Sequence, residues 1–536
     1  MHPRRGAALL LTLVVLAAGC SKGGGGSSTA TTRQEVSGPP QEGGRLRVAV
    51  VGAASLDPAQ ARTVDQLLVA DILFDGVTAH DPKSLQPVPA LAESFTASPD
   101  QKQWDFTLRA DAKFSNGRTI TSTDVKYTLE RIARKGSGSP AAELLELVTG
   151  YRPFAIDGTA PTLAGIQEIA PNVVRILLDQ PFALLPTVLA APTFGLVPRE
   201  AVEAPSPAFI ERPVGSGAFA VTGRDADSVE LGVVEGRKAF VEGVELLLFD
   251  DVDDAYDAFE DGDADYTTVP PDQIDGASRK FGDDAFSAYL AELFYGFNLR
   301  SPKFADVRFR EAIVRSIDRE SIVDAVYGGT VMDLDGPVVR GVEGHQDAPC
   351  AKCGHDLDRA KALLKEVFPD GNVPEVNIDF DEDATQEAVA KAIEASLEDA
   401  GIPATLRPKQ LRQYQDFAVS GQQELFRLGW IGSYPSADAF LPALFLSSSP
   451  SNLTGFVQPP VDEQIRAARA EPDPAKRAAL FQAAERAVMD SLPIIPIAQF
   501  RIHAVMSARV QDLRPSLTGT FDATKVWLAN PDKKSD

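Results

Sequence analysis

The sequence predicts an α/β protein with more than one structural unit. Segments with the pattern of β-strands alternate with segments of helical periodicity, which is the order typical of α/β folds. The chain has 536 residues, 44% of them hydrophobic, so it exceeds what one hydrophobic core usually serves. Its length suggests about three to four domains, or two large lobes with insertions. No repeat of about 20–50 residues is visible, which argues against solenoids and propellers.

The N-terminus has the pattern of a secretory signal that ends at an anchoring site. Two arginines precede an apolar run over residues 7–18, which is too short to span about 30 Å of hydrocarbon as a helix. Residues 16–20 (LAAGC) resemble a bacterial lipobox, whose cysteine is acylated and becomes the mature N-terminus. We therefore expect a signal peptide over 1–19 and a lipid on Cys20. The alternative is simple secretion, with Cys20 removed or idle.

Residues 20–44 are expected to form a flexible tether behind the lipid. After Cys20 the segment reads SKGGGGSSTATTRQEVSGPPQEGG, which is rich in Gly, Ser, Thr and Pro and has no periodic apolar positions. Such a tether would hold a folded domain away from a membrane surface, so we expect membrane contact only through the lipid.

Two early segments of the chain body are predicted as strands. Residues 45–51 (RLRVAVV) have the composition of a buried strand, and residues 104–109 (WDFTLR) alternate as a half-buried strand does. Helices are predicted where apolar residues recur at helical spacing next to capping signals. The clearest are a helix after the Thr121–Asp124 capping box with Val125, Leu129 and Ile132, one with Val389, Ile393, Leu397 and Ala400 before Gly401, and one after Asp473-Pro474 with Leu480, Phe481, Ala484 and Val488.

Charge and motif content argue against two classes of function. Lys and Arg number 52 and Asp and Glu number 76, for a net charge of −24, whereas nucleic-acid binding relies on clustered cations. The sequence has no G-x-S-x-G, P-loop or H-E-x-x-H motif and no nucleophilic Cys/His arrangement. We therefore expect neither a nucleic-acid-binding protein nor an enzyme.

A series of short motifs follows in the order typical of one family. Over residues 45–530 the chain resembles the solute-binding proteins of ABC importers, specifically the oligopeptide/dipeptide/nickel-binding group known as family 5. The order of the motifs carries the resemblance. The motifs are LAESF at 91–95, WDFTLR at 104–109, KFSNG at 113–117, TSTDVKYTLER at 121–131, PVGSGAF at 213–219, AFEDGDAD at 258–265, FNL at 297–299, the stretch 306–320, DRAKALL at 358–364, LGW at 428–430, Asn452 and PIIPI at 493–497.

The resemblance implies a two-lobed periplasmic-binding-protein-like fold of type II, in the large cluster that carries an extra inserted domain. We expect lobe I over 45–297 with the insertion at about 86–215, lobe II over 298–498, and a return to lobe I with a C-terminal tail over 499–536. In such a fold the solute is captured in an inter-lobe cleft, and it selects the closed state only through contacts to both lobes.

The resemblance also places solute contacts at Gly429-Trp430-Ile431. In this family the main chain around that tryptophan hydrogen-bonds the ligand backbone, and its ring forms a pocket wall. The alternative is that Trp430 belongs to the ordinary core.

The residues after Trp430 depart from the oligopeptide-binding pattern. Oligopeptide binders carry an aspartate three residues after this tryptophan, which pairs with the ligand's α-ammonium, whereas this chain has Ser433 followed by Tyr434. A buried ammonium without a carboxylate is costly, so recognition of a free peptide N-terminus is in question. Asp438 is a candidate substitute, and a structural role for this acid is the alternative.

A second strip of solute contacts is expected in the loop after the first strand. Ser55, Val64 and Asp65 are the residues that we place there. The alternative is a solvated loop that caps the next helix.

The pair Cys350 and Cys353 permits three interpretations. With His355 they could provide zinc ligands, but a second pair is absent. A thioredoxin-like redox motif needs a strand–helix setting, whereas this one lies in a loop. In an oxidising exterior the expected result is a local disulfide, and some lipoprotein members of the resembled family carry a pair at this place.

Nickel carriers belong to the resembled family, yet the sequence offers no metal site. His80, His345, His355 and His503 include no pair at i, i+4. The acidic run at 261–265 lacks the glycine and the glutamate that a calcium loop needs at its sixth and twelfth positions. We expect no metal and no cofactor.

These observations together predict a solute-binding lipoprotein on the outer face of the cell membrane. We expect it to be a monomer that captures a peptide or similar small polar solute and delivers it to an ABC permease. The alternatives are an extracytoplasmic hydrolase on the same fold and a ligand sensor without a transport role.

Overall fold

The computed structural model describes residues 38–53, 55–204, 208–283 and 285–531. The predicted signal peptide, the lipidation site Cys20 and most of the predicted tether lie outside the described residues.

The strands are numbered in chain order. They are β1 Arg45–Val51, β2 Thr78–His80, β3 Pro87–Pro89, β4 Ala92–Ala97, β5 Gln103–Leu108, β6 Ile166–Ala170, β7 Val173–Leu177, β8 Phe219–Arg224, β9 Ser228–Val233, β10 Gly243–Phe249, β11 Tyr266–Thr268, β12 Ser287–Phe297, β13 Met332–Asp333, β14 Val376–Asp381, β15 Ala404–Lys409, β16 Leu425–Ile431, β17 Ile494–Ile502, β18 Ala504–Met506, β19 Val510–Gln511 and β20 Trp527–Leu528.

The α-helices lie mostly between these strands. They are α1 Val64–Leu73, α2 Ser122–Ala133, α3 Leu185–Val188, α4 Arg199–Val202, α5 Ala208–Glu211, α6 Val252–Glu260, α7 Ile274–Phe281, α8 Val307–Ser316, α9 Arg319–Tyr327, α10 Leu357–Val367, α11 Ala384–Ala400, α12 Leu411–Ala418, α13 Leu441–Phe445, α14 Pro459–Ala470 and α15 Pro474–Asp490.

The chain divides into two compact units. Among the described residues, the smaller unit is Ala288–Arg501, and the larger unit combines the residues up to Ser287 with those from Ile502 onward. The boundaries predicted from the sequence are 297/298 and 498/499. The structure has β12 unbroken from residue 287 to 297, and its residues from 291 onward pair with β16. This pairing places nearly the whole strand in the smaller unit.

The main sheet of the larger unit is built around the predicted first strand. Its strand order is β18-β11-β1-β10-β9-β8, and β1 runs parallel to both of its neighbours. Leu46, Val48 and Val50 of β1 are fully buried and pack in one core with residues of α1 such as Leu68. The prediction of a buried strand at 45–51 is confirmed.

The PVGSG motif packs against the end of α1. The amide of Gly217 donates to the carbonyl of Leu73 at 3.0 Å. A Cβ atom on Gly217 would lie 2.7 Å from the carbonyl carbon of Leu73, and one on Gly215 would overlap the Leu73 oxygen. The two glycines are therefore required by the close approach of two backbones.

A second sheet in the larger unit has the order β4-β5-β7-β6. The strand predicted at 104–109 is β5, and its residues alternate between buried and half-buried. Helix α2 begins where predicted, because the amide of Thr121 donates to Asp124 at 2.8 Å, and Val125, Leu129 and Ile132 are buried.

The sheet of the smaller unit has the order β13-β17-β12-β16-β14-β15. Strands β12 and β16 are antiparallel, whereas β14 is parallel to both of its neighbours. Two predicted helices are confirmed here: α11 ends at Gly401, which has a left-handed φ of 88°, and α15 begins after Asp473, whose carboxylate accepts from the amides of Ala475 and Lys476.

Candidate functional site

Gly429, Trp430 and Ile431 form the last residues of β16. They lie opposite Leu293, Glu292 and Ala291 of β12 in the antiparallel ladder. Directly opposed residues of such a ladder place their side chains on the same face of the sheet. The end of β16 therefore presents Trp430 beside Glu292.

The indole of Trp430 is half-buried and held in place from one side. Its Nε1 donates to the carbonyl oxygen of Ala439 at 2.6 Å. Ala439 belongs to a short 3-10 turn at Ala437–Ala439 that follows the strand. This bond fixes the ring between β16 and the turn, as a pocket wall requires and as an ordinary core position also allows.

Asp438 is engaged inside the smaller unit. It is 3% exposed, its Oδ2 accepts from the hydroxyl of Tyr434 at 2.7 Å, and its Oδ1 lies 2.9 Å from Nε of Arg469. Ser433, in contrast, is exposed. Because Asp438 already pairs with a guanidinium and accepts from a hydroxyl, these contacts support the structural alternative for this residue.

The three residues predicted after the first strand lie in the larger unit. Ser55 is exposed and Val64 is the half-buried first residue of α1. Asp65 is buried and accepts from the amide of Val51 at 2.7 Å, which links α1 to the end of β1. Burial raises the pKa of Asp65 to about 6, although the bond from Val51 lowers it in part.

Cys350 and Cys353 are joined by a disulfide in the loop before α10. Cys353 is buried, and its carbonyl oxygen accepts from Nη2 of Arg319 at 3.1 Å. Arg319 also donates to the carbonyl of Leu334 at 2.8 Å. The pair thus fastens a surface loop next to α9. Among the described residues, no group of three or more His, Cys, Asp or Glu stands where it could hold a metal ion.

Glu292 is a candidate residue that the sequence analysis missed. It is 1% exposed, and neither of its carboxylate oxygens has a hydrogen-bond partner. The available signal was a single acid within the apolar run AYLAELFYGF at 288–297, since Glu is almost never fully buried unless it is paired.

Glu485 on α15 is the titratable neighbour of Glu292. Its Oε1 accepts from the amide of Val338 at 3.2 Å and its Oε2 from Nε2 of Gln346 at 2.7 Å. Burial raises the pKa of Glu485 to about 8. Burial also raises the pKa of Glu292 well above its ordinary value, and the charge of Glu485 adds to that shift. The smaller unit therefore holds two buried acids, and one of them, Glu292, lies opposite Trp430 in the ladder.

No helix within the described ranges combines the length and the apolar character needed to cross a membrane.

Comparison with known proteins places the fold. The family model described as "Bacterial extracellular solute-binding proteins, family 5 Middle" matches residues 86–452. The chain is 27% identical to the probable deoxycholate-binding periplasmic protein YgiS of Escherichia coli (strain K12), over 83% of this chain and 85% of that protein. It is 25% identical to the periplasmic oligopeptide-binding protein OppA of the same organism, over 83% and 84% of the two chains.

A solved structure gives the same result. The unliganded open form of the periplasmic murein tripeptide binding protein MppA matches with a TM-score of 0.82 at 22% identity, over 91% of this chain and 98% of that one. The expected two-lobed fold of type II is confirmed by this likeness.

Proposed function

Because the chain belongs to the bacterial extracellular solute-binding proteins of family 5, we propose that it is the solute-binding component of an ABC importer and that its solute is a peptide or a similar small polar molecule. The observation that carries this proposal is the family match over 86–452. It includes β12 and β16, with Trp430 fixed at the end of its strand. The oligopeptide-binding name of one relative supports a peptide solute, and the deoxycholate-binding name of another defines the competing solute class.

The solute contacts that we propose come from both units. Gly429, Trp430 and Ile431 supply main-chain bonds and an aromatic wall, and Ser433 and Tyr434 follow them in the chain. Ser55, Val64 and Asp65 supply the second strip. Asp438 takes the structural role, since Arg469 and Tyr434 occupy its carboxylate.

Delivery and anchoring complete the proposal. The protein acts as a monomer on the outer face of the membrane, held by a lipid on Cys20 and the tether behind it. It passes its solute unchanged to the permease, without catalysis of its own. Substitution C20S should then abolish incorporation of labelled fatty acid and release the protein from the membrane fraction.

A thermal-shift panel tests the solute class. A ligand at 100 times its Kd adds about 2.7 kcal/mol of stability, because it binds only the folded state. The panel contains peptides of several lengths, deoxycholate, a glycoside and a metal chelate. We expect peptides to raise the melting temperature. A shift with deoxycholate, the glycoside or the chelate and none with any peptide would contradict the peptide assignment.

A further inference from the structure

The Glu292–Trp430 pair is a chemically unusual arrangement for the middle of a sheet. The two residues face each other across β12 and β16, so their Cβ atoms are about 4.5–5.5 Å apart on one face. Glu292 is buried, whereas Trp430 is half-buried. Of the two residues, Trp430 is the one that is partly exposed to solvent.

Glu292 lacks a partner in the described part of the chain. Both of its oxygens are buried and neither receives a hydrogen bond. A buried carboxylate without a partner is strongly destabilising, which is why buried charges are normally paired. The titratable group that shifts the pKa of Glu292 is a second acid, Glu485. The oxygens of Glu485 already accept from Val338 and Gln346.

The other polar groups next to Trp430 do not fill this role. Asp438 is bound by Arg469 and Tyr434, and Ser433 is neutral and exposed. Glu292 is consequently the acid beside the indole whose two oxygens receive no hydrogen bond.

We propose, resting on the proposed function, that Glu292 and Trp430 form a subsite for the ammonium group of a cationic solute, such as the free α-ammonium of a peptide. A carboxylate forms strong charge-assisted hydrogen bonds to an ammonium, and the face of an indole attracts a cation through its quadrupole. The subsite takes the place of the aspartate that Ser433 replaces.

Binding at this subsite also moves a proton. Burial and the neighbouring Glu485 raise the pKa of Glu292, so the empty subsite favours the neutral carboxylic acid. When an ammonium enters, the acid loses its proton to solvent and the carboxylate pairs with the cation. The groups that set this balance are Glu485 on α15, with Gln346 and Arg486 around it, and the ammonium itself.

Calorimetry with a matched pair of peptides tests the subsite. The purified protein is titrated with a tripeptide and with the same tripeptide acetylated at its N-terminus. We expect the free peptide to bind at least tenfold more tightly and to release protons to solvent, as measured in two buffers of different ionisation enthalpy. The acetylated peptide should release none.

Substitutions identify the group responsible. E292Q keeps the shape and removes the charge, so it should abolish both the preference for the free amine and the proton release. E292M does the same without burying a polar group. E387Q is the matched control, since Glu387 is an exposed acid on α11 that pairs with Lys391, and it should keep the preference for the amine.

The possible failures are distinct from one another. Equal affinity of the wild-type protein for the two peptides overturns the subsite and leaves the proposed function standing. A preference for the free amine that survives in E292Q also overturns it, since another group then holds the ammonium. Binding of neither peptide, with binding of deoxycholate, overturns the peptide function and the subsite together.

Discussion

Ser216 and Asp75 exchange two hydrogen bonds. The hydroxyl of Ser216 accepts from the amide of Asp75 at 3.0 Å and donates to the carbonyl oxygen of the same residue at 2.9 Å. Ser216 is fully buried between Gly215 and Gly217, which pack against the end of α1. The serine of the PVGSG motif therefore bonds both the amide and the carbonyl of one residue just after a helix.

Replacing this hydroxyl should destabilise the larger unit. S216A leaves the amide of Asp75 without its acceptor, whereas the carbonyl oxygen of Asp75 still accepts from the amide of Leu196 at 3.0 Å. We expect this loss to lower the free energy of unfolding by about 1–3 kcal/mol. The matched control is S115A, because the half-buried Ser115 accepts a single bond from Gly215 at 3.2 Å. Urea denaturation measures both variants. A loss in S216A no larger than that in S115A would contradict this interpretation of the motif.

Asp438 should affect stability rather than solute affinity. D438N removes the charge that faces Arg469, and breaking a buried ion pair costs about 3–5 kcal/mol. The double variant D438N/R469M should lose less than the sum of the single variants, because it leaves no unpaired charge. Calorimetry on the folded D438N variant should give a solute affinity within about twofold of wild type. A tenfold loss of affinity with little loss of stability would instead assign Asp438 to the solute.

Glu485 should make stability depend on pH. Its pKa is raised from 4.5 to about 8 in the folded protein, so the folded state binds a proton that the unfolded chain releases. The resulting stabilisation is fully present below pH 4.5 and is lost as the pH rises toward 8, by up to about 1.4 kcal/mol per pH unit.

The difference between wild type and E485Q isolates this contribution from the other acids. Urea denaturation from pH 4.5 to 8 should show wild type losing stability relative to E485Q. The exposed Glu387 on α11 supplies a control, since E387Q should run parallel to wild type. Equal pH profiles for wild type and E485Q would contradict a protonated Glu485.

The disulfide should contribute only modestly to stability. Cys350 and Cys353 are three residues apart, and closing so short a loop removes little entropy from the unfolded chain, worth about 2 kcal/mol in the loop-entropy model. The variant C350S/C353S should therefore unfold at a slightly lower urea concentration. Reduction of the wild-type protein should give a similar change. A loss of more than about 4 kcal/mol in the free energy of unfolding would contradict loop-closure entropy as the source of the stabilisation.

Local signals were sufficient to predict the individual elements. The cap at Thr121, the turn at Gly401 and the start at Asp473-Pro474 each follow from a few adjacent residues. The boundary near residue 287 depends instead on the pairing of β12 with β16, which lies more than a hundred residues further on. Local hydrophobic periodicity does not reveal which distant strand will pair with β12, so it could not predict this boundary.

The same limit applies to the candidate site. Asp438 forms an ion pair with Arg469 of α14. Asp65 accepts a hydrogen bond from an amide of β1. Glu292 became a candidate only because its register placed it opposite Trp430 with no partner. The residue types indicate which acids are candidates. Long-range packing determines which of these acids have a hydrogen-bond or ion-pair partner in the folded protein.

Asp265 ties together distant parts of the larger unit. It receives Arg47 of β1 at 3.2 Å and Arg509, just after β18, at 2.6 Å. This contact forms only after the last part of the chain has been made, whereas the smaller unit is one continuous stretch. In vectorial synthesis, where domains fold as they emerge, the second unit along the chain would finish first, and the unit that begins the chain would wait with an incomplete sheet for its final strands.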